Sequence, residues 1–276
     1  MKSVNLFCAI MVLAFVQLSI AGTETKAPAP KMTAAAIVDK NVAARGGLAA
    51  WRSVQTMEMK GTLEAGGNDR SAISVPSDKQ LMKVIPQRPK EQAQLPFVME
   101  LERGRKVRVE IEFKGQTAVQ VYNGTQGWKL RPFLNRHEVE KFTPEELKAA
   151  STQTDLDGLL IDYAAKGSTV ELEGTEQVDG RNTYKLKVTD KNHNARHVWV
   201  DGETFLETKI EGTPRRLDGK EHPVATYFRD YRTVNGLVMP YLLETAVEGI
   251  RDTEKITIEN IVSNPKLDES RFAMPR

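Results

Sequence analysis

From Gln55 onward, apolar and polar residues alternate with a period of two. Met57, Met59 and Leu63 alternate with Glu58, Lys60 and Glu64, which predicts a half-buried strand. Phe97, Met99 and Leu101 alternate in the same way, Arg103-Gly104 turns the chain, and Val107, Val109, Ile111 and Phe113 follow among Arg108, Glu110 and Glu112. That pattern is a hairpin with one dry and one wet face. The alternation returns at Val119 and Val121, at Tyr184, Leu186 and Val188, at Val198 and Val200, and in the long runs Val224 to Val234 and Leu237 to Val247. About ten or eleven strands are expected. Four turn signals recur among them: Asn123-Gly124, Asp179-Gly180, Asp201-Gly202 and Asn235-Gly236. Such pairs fit tight hairpins whose twist matches that of the strands. The fold class is therefore mainly β, an α+β chain built on one wide antiparallel sheet.

Two regions carry a helical period instead. From Thr33 to about Val54, Ile37, Val38, Val42, Leu48 and Trp51 share a broad face, with Gly46-Gly47 as an interruption. Thr143-Pro144-Glu145-Glu146 is a helix start with a capping Thr, Pro at the first helical position and Glu three residues after the cap. A further helical piece is predicted over Asp155 to Ala165, from the spacing of Leu156, Leu159, Leu160 and Tyr163, with Gly167 as its stop. A twisted sheet of this width curls, and a helix about 20 residues long measures only ~30 Å by ~10 Å. Two readings of the concave side stay open: side chains fill it, as in small closed barrels, or a hollow remains for an apolar guest.

The first residues bear on the compartment. Lys2 precedes an apolar run, Leu6 to Ile20, and Ser19-Ile20-Ala21 places small residues where a signal peptidase reads, so residues 1–21 are expected to be an export signal. A linker over 22–32 and a single domain over 33–276 are expected to follow. The run is shorter than the ~20 apolar residues a bilayer span needs, so no integral span is expected after cleavage. Cys8 is the only cysteine and lies inside that run, which leaves the mature chain without disulfide or thiolate chemistry. With Lys2 removed, 38 basic residues face 37 acidic ones. That balance, and the lack of a basic run interleaved with aromatics, argues against nucleic acid as a partner.

Candidate chemistry is sparse. His193 and His197 are four apart, but a turn at Asp190-Lys191-Asn192 and a strand starting at His197 remove the helical meaning of that spacing. His137 and His222 fall in polar loops. Glu100, Glu102, Glu110 and Glu112 form a row on the face opposite the apolar residues, where a sheet displays charge to water, and Asp155 and Asp157 read as helix-start residues. No nucleophile elbow, phosphate loop or dinucleotide turn is present. No catalytic set, metal site or cofactor is expected. The loop Gly212 to Lys220 carries Arg215, Arg216 and Lys220 and reads as a solvated hairpin tip, or alternatively as a dock for an acidic partner or lipid headgroup.

The order of elements resembles the LolA-like periplasmic proteins described as outer-membrane lipoprotein-sorting proteins. The resemblance rests on Ala43-Ala44-Arg45-Gly46-Gly47-Leu48 followed by Trp51 to Thr56, on Tyr122 to Trp128, on Leu159 to Tyr163, and on Val170 to Glu176. It continues through Val178-Asp179-Gly180, Tyr184 to Thr189, Val200 to Thr204 and Asp230 to Pro240. It implies an incomplete antiparallel barrel whose open concave side is covered by helices and which encloses an apolar cavity. It also implies a soluble, non-enzymatic periplasmic binder or carrier of lipid or acylated-protein chains. Strand parity and helix face make Trp51, Met57, Met59, Phe97, Met99, Leu101, Leu156, Leu160, Leu186, Met239 and Tyr241 the candidate cavity residues. An envelope module that binds a partner protein without lipid is the alternative, and a hydrolase a more distant one.

Overall fold

The computed structural model describes residues 32–66, 92–132, 135–153, 155–217 and 219–276. The expected export signal, nearly all of the expected linker, and Cys8 lie outside them. Within Met32–Arg276, α1 (Ala34–Ala44) starts at Thr33, whose hydroxyl accepts the Ala36 N–H at 3.2 Å. It ends where Gly46 and Gly47 take φ of +106° and +91°, and α2 (Leu48–Ser53) follows. The expected break at the glycine pair is therefore where the helix stops. Gly46 is needed for a second reason: a Cβ there would lie 2.1 Å from the Gly236 carbonyl oxygen. This is where the end of α1 docks on a hairpin turn, the Val238 N–H donating to the Arg45 carbonyl at 3.1 Å.

The strands form two antiparallel meanders lying side by side. One comprises β1 (Thr56–Gly66), β2 (Gln92–Glu102), β3 (Lys106–Phe113), β4 (Gln116–Asn123), β5 (Gly127–Arg131) and β6 (Arg136–Lys141). The other comprises β7 (Thr169–Val178), β8 (Arg181–Thr189), β9 (Ala195–Asp201), β10 (Glu207–Glu211), β13 (Val224–Val234), β14 (Leu237–Val247) and β15 (Glu254–Ser263). β1 pairs with β15, giving one sheet in the order β6-β5-β4-β3-β2-β1-β15-β14-β13-β10-β9-β8-β7. β6 and β7 are its edges, so this curved sheet of thirteen strands is an incomplete barrel. A separate ribbon, β11 (Arg215–Leu217) with β12 (Lys220–His222), projects from the β10–β13 connection. Among the described residues there are fifteen strands rather than ten or eleven. β6, β11 and β12 are short and mostly polar, and so give no alternation to read. His137 and His222, expected in loops, lie in β6 and β12.

The recurring turn signals divide into two kinds. Asp179-Gly180 and Asn235-Gly236 have positive φ at both residues, as a two-residue hairpin turn of the mirror-image type requires. Asn123 and Asp201 instead anchor wider loops through their side chains: Asn123 Oδ1 accepts the N–H groups of Thr125 and Gln126, and Asp201 Oδ1 those of Glu203 and Thr204.

The chain crosses the open side between the two sheet edges. α3 (Pro144–Gln153) opens with the expected reciprocal cap: the Glu146 carboxylate accepts the Thr143 N–H at 2.8 Å, and the Thr143 hydroxyl accepts the Glu146 N–H at 3.3 Å. The segment 155–167 is not the predicted helix but a series of turns, with Gly158, Asp162 and Gly167 at positive φ. Its apolar residues serve two cores rather than one face. Leu156 and Ile161 join a cluster with Trp51, Met57, Phe97 and Leu101, whereas Leu160 joins Ile37, Val38, Leu186 and Val198 beneath α1. Asp155 and Asp157 consequently cap no helix. Asp157, 1% exposed, accepts from Arg103 Nη1 at 2.9 Å and from Lys166 Nζ, and Asp155 pairs with Lys166 at 3.1 Å.

The outer carboxylate row is displayed to water only at its Glu112 end. The C-terminal segment folds back over the outer face, where Phe272 and Leu267 pack on Val119, Val121 and Trp128. Arg271 bridges Glu100 (2.8 Å) and Glu110 (2.9 Å), and Glu100 is only 5% exposed. Covering that part of the face draws Glu100 and Glu110 away from solvent, so both need a cation, and Arg108 supplies a second one to Glu110 at 2.6 Å.

Candidate ligand site in the concave face

The two cores meet at Val42, which packs against both. Between them lies a hollow of about 780 Å³, within the range of small-molecule sites. One wall is a cross-strand row on β1, β2 and β3, in which Met59 faces Met99 and Met99 faces Val109. Leu101, Val107 and Tyr122 extend it, Phe142, Leu156 and Leu159 come from the crossing segment, and Val198, Ile210, Phe228, Met239 and Leu243 line the opposite wall.

Five of the eleven sequence-predicted residues, Met59, Met99, Leu101, Leu156 and Met239, come together on this lining. The other six are not on the lining. Trp51, Met57, Leu160 and Leu186 are fully buried, and Phe97 and Tyr241 are each 6% exposed. Parity tells which way a strand residue points, not whether a helix covers it. Met57 lies two residues before Met59 on the same face, but it packs in the Trp51 cluster whereas Met59 faces the gap.

Sequence reasoning missed the polar residues of the lining. Arg45, 6% exposed, reaches the hollow from the end of α1, stacks 4.3 Å above the Trp51 ring and pairs with Glu207 at 3.3 Å. Its Nη1 also donates to the Asp157 carbonyl at 3.2 Å, while its buried Nε has no hydrogen-bond partner among the described residues. Tyr231 donates its hydroxyl to the Glu207 carbonyl at 2.8 Å. Burial first, and then the Glu207 charge, push that phenol well above its ordinary pKa, so it stays protonated and acts as a donor. Burial and the neighbouring Asp157 raise Asp155, while Lys166 and Arg103 hold Asp157 below the usual carboxylate range against the opposing effect of burial. A readable signal existed for one of these residues: Arg196 shares the inward parity of Val198 and Val200.

The histidines take no part. His197 turns outward between Glu211 and Glu173, His222 Nδ1 lies 2.8 Å from the Glu248 carbonyl oxygen, and His137 and His193 are exposed. Among the described lining residues there is no Cys, Ser or His.

Solved structures with this arrangement exist. A LolA superfamily protein from Nitrosomonas europaea superposes with a TM-score of 0.53 at 12% identity, covering 88% of this chain and 98% of that one. The chain has a LolA-like fold. A DUF1329 family protein from Desulfovibrio piger gives a TM-score of 0.53 at 13% identity, covering 87% of this chain and 97% of that one. At these identities the likeness establishes the LolA-like fold alone. No family model matches the chain, and no curated protein matches it in sequence. Among the described residues no helix is long and apolar enough to cross a membrane.

Proposed function

We propose that the protein is a non-enzymatic binder or carrier that shelters the acyl chains of a lipid or an acylated protein in its concave hollow. We further propose that it works in the bacterial periplasm as a single domain, residues 33–276, exported by the segment 1–21. The observation that carries the reading is the hollow itself: about 780 Å³ walled by Met, Leu, Val, Ile and aromatic side chains in a sheet that is not closed. Transfer of an alkyl chain from water to such a lining is worth roughly 0.8 kcal/mol per methylene buried. The LolA-like fold is consistent with this use. The polar groups at the hollow speak against catalysis: Glu207, Asp155 and Glu146 are each paired with a cation, and Tyr231 holds a backbone carbonyl. No nucleophile with an adjacent base is assembled there among the described residues.

The test is mass spectrometry under native and then denaturing conditions, on protein purified from a bacterial periplasm without detergent. An added mass that resolves into a phospholipid or an acylated peptide is the expected result. A bare chain mass, together with no uptake of an added fluorescent fatty acid, would overturn the reading in favour of a module that binds a partner protein.

A further inference from the structure

The charges on the hollow are unevenly satisfied. Three carboxylates line it, and each has its own cation: Glu207 has Arg45 (3.3 Å), Asp155 has Lys166 (3.1 Å) and Glu146 has Lys129. Of the two remaining guanidiniums, Arg215 is held by both oxygens of Glu254, at 2.6 and 2.7 Å. Arg196 is the exception. It is half-buried at the start of β9, pointing inward with Val198, and its Nε and Nη2 both donate to one backbone carbonyl, that of Glu211, at 3.0 and 2.8 Å. The Glu211 carboxylate is turned to the outer face, where it accepts from the N–H of His197 (3.0 Å) and contacts its ring. Among the described residues Arg196 makes no ion pair, and burial draws its pKa down from the ordinary arginine value. The Glu211 charge acts on it only from a distance, without an ion pair. A cation withdrawn from water onto a ligand-sized hollow, with no carboxylate in direct contact among the described residues, is suited to receiving one from the ligand.

The apolar row and this cation stand apart. In the sheet order, β2 with Met99 and β9 with Arg196 are six positions from each other, about 29 Å along the sheet at ~4.8 Å per strand, and less across its curved interior. One leaflet's acyl chains fill about half of a ~30 Å bilayer core, so ~15 Å suffices for one chain. We infer that the ligand is an anionic amphiphile, a long acyl chain ending in a carboxylate or phosphate, with its tail along the Met59–Met99–Val109 wall and its head on the Arg196 guanidinium. This rests on the reading of the hollow as an acyl-chain site and adds the class of head group and its direction of entry.

The experiment is competition against a neutral apolar fluorophore, N-phenyl-1-naphthylamine, at pH 8, with hexadecanoate, hexadecyl phosphate and hexadecanol as competitors. On the unaltered protein both acids should displace the fluorophore at least about tenfold more effectively than the alcohol, a tenfold ratio being 1.4 kcal/mol. Arg196→Gln should bring the three within about twofold of one another, each acid being read as a ratio to the alcohol on the same protein. Arg196→Lys should keep most of the preference. Equal displacement by acids and alcohol on the unaltered protein overturns the inference without any variant having to fold. A preference that survives in Arg196→Gln also overturns it. In both cases continued uptake of the fluorophore leaves the acyl-binder reading standing. Failure of the fluorophore to bind at all sinks that reading, and the head-group inference with it.

Discussion

Met57 and Met59 form a controlled pair: the same residue type, on the same strand and the same face, with only one of them at the hollow. Met57 is 0% exposed and packs in the Trp51 cluster, whereas Met59 is half-buried and lines the gap opposite Met99. Met57→Ala removes a fully enclosed side chain, so the lost transfer energy and the new cavity add, for a cost of about 3 kcal/mol within the ~2–5 usual for such changes. Met59→Ala enlarges a space that already exists. It forfeits only the contacts on the buried side, about half of the ~1.5–3 kcal/mol that full burial is worth, or about 1 kcal/mol. Urea denaturation followed by tryptophan fluorescence separates the two. With a slope of about 2–3 kcal/mol per molar urea, the midpoint should fall by about 1–1.5 M for Met57→Ala and by about 0.4 M for Met59→Ala. In the folded variants, uptake of an apolar probe should change for Met59→Ala and not for Met57→Ala. Equal losses of stability would mean that Met59 is as tightly enclosed as Met57, that the space beside it is closed in solution, and that the proposed site does not exist.

Three further outcomes follow from the geometry. Gly46→Ala should cost at least about 3 kcal/mol, because its Cβ would lie 2.1 Å from the Gly236 carbonyl oxygen at a φ of +106°; Gly47→Ala, with no atom within 4 Å, should show only the strain of its φ, about 1–2 kcal/mol, and thermal melts of the two would expose any failure of that order. Arg271→Ala should cost about 2–3 kcal/mol by leaving the buried Glu100 unpaired, and a Glu100→Gln change in the same chain should recover part of it; the idea fails if the double variant melts below the single one. Glu110, Glu146 and Asp157 would each be raised by burial, but Arg108 with Arg271, Lys129, and Lys166 with Arg103 hold them below 4.5, 4.5 and 3.8 respectively. A depressed carboxylate contributes stability that is present above its unfolded pKa and lost as pH falls through the folded one. Melting temperature should therefore be level above about pH 5 and fall below it, with a shallower fall in Glu110→Gln. Asp155, raised by burial and by Asp157, has the opposite sign and blunts the slope slightly.

What could be read from the sequence was local. The Thr143 cap and the Asn235-Gly236 turn depend on contacts within four residues, so their chemistry is written in adjacent letters, and the long strands declare an inward face by alternation alone. The segment 155–167 shows where that reasoning stops. Its leucines keep a helical spacing, yet Gly158 and Asp162 at positive φ break the backbone because Leu156 and Leu160 must reach different cores. Part of that demand comes from Trp51 and Ile37, more than a hundred residues away in the chain, which no window around the segment contains. The same holds for the charges. Glu100 and Glu110 read as part of a wet row until Arg271, 161 residues beyond Glu110, folds over them, and nothing in the stretch around Arg45 signals the Glu207 it meets inside the hollow. In each of these cases the environment of a polar group is decided by a partner far along the chain. Arg196 differs from them in having an inward parity that was legible and no ion-pair partner among the described residues. That is why, of the charges on the lining, it is the one that points to a ligand.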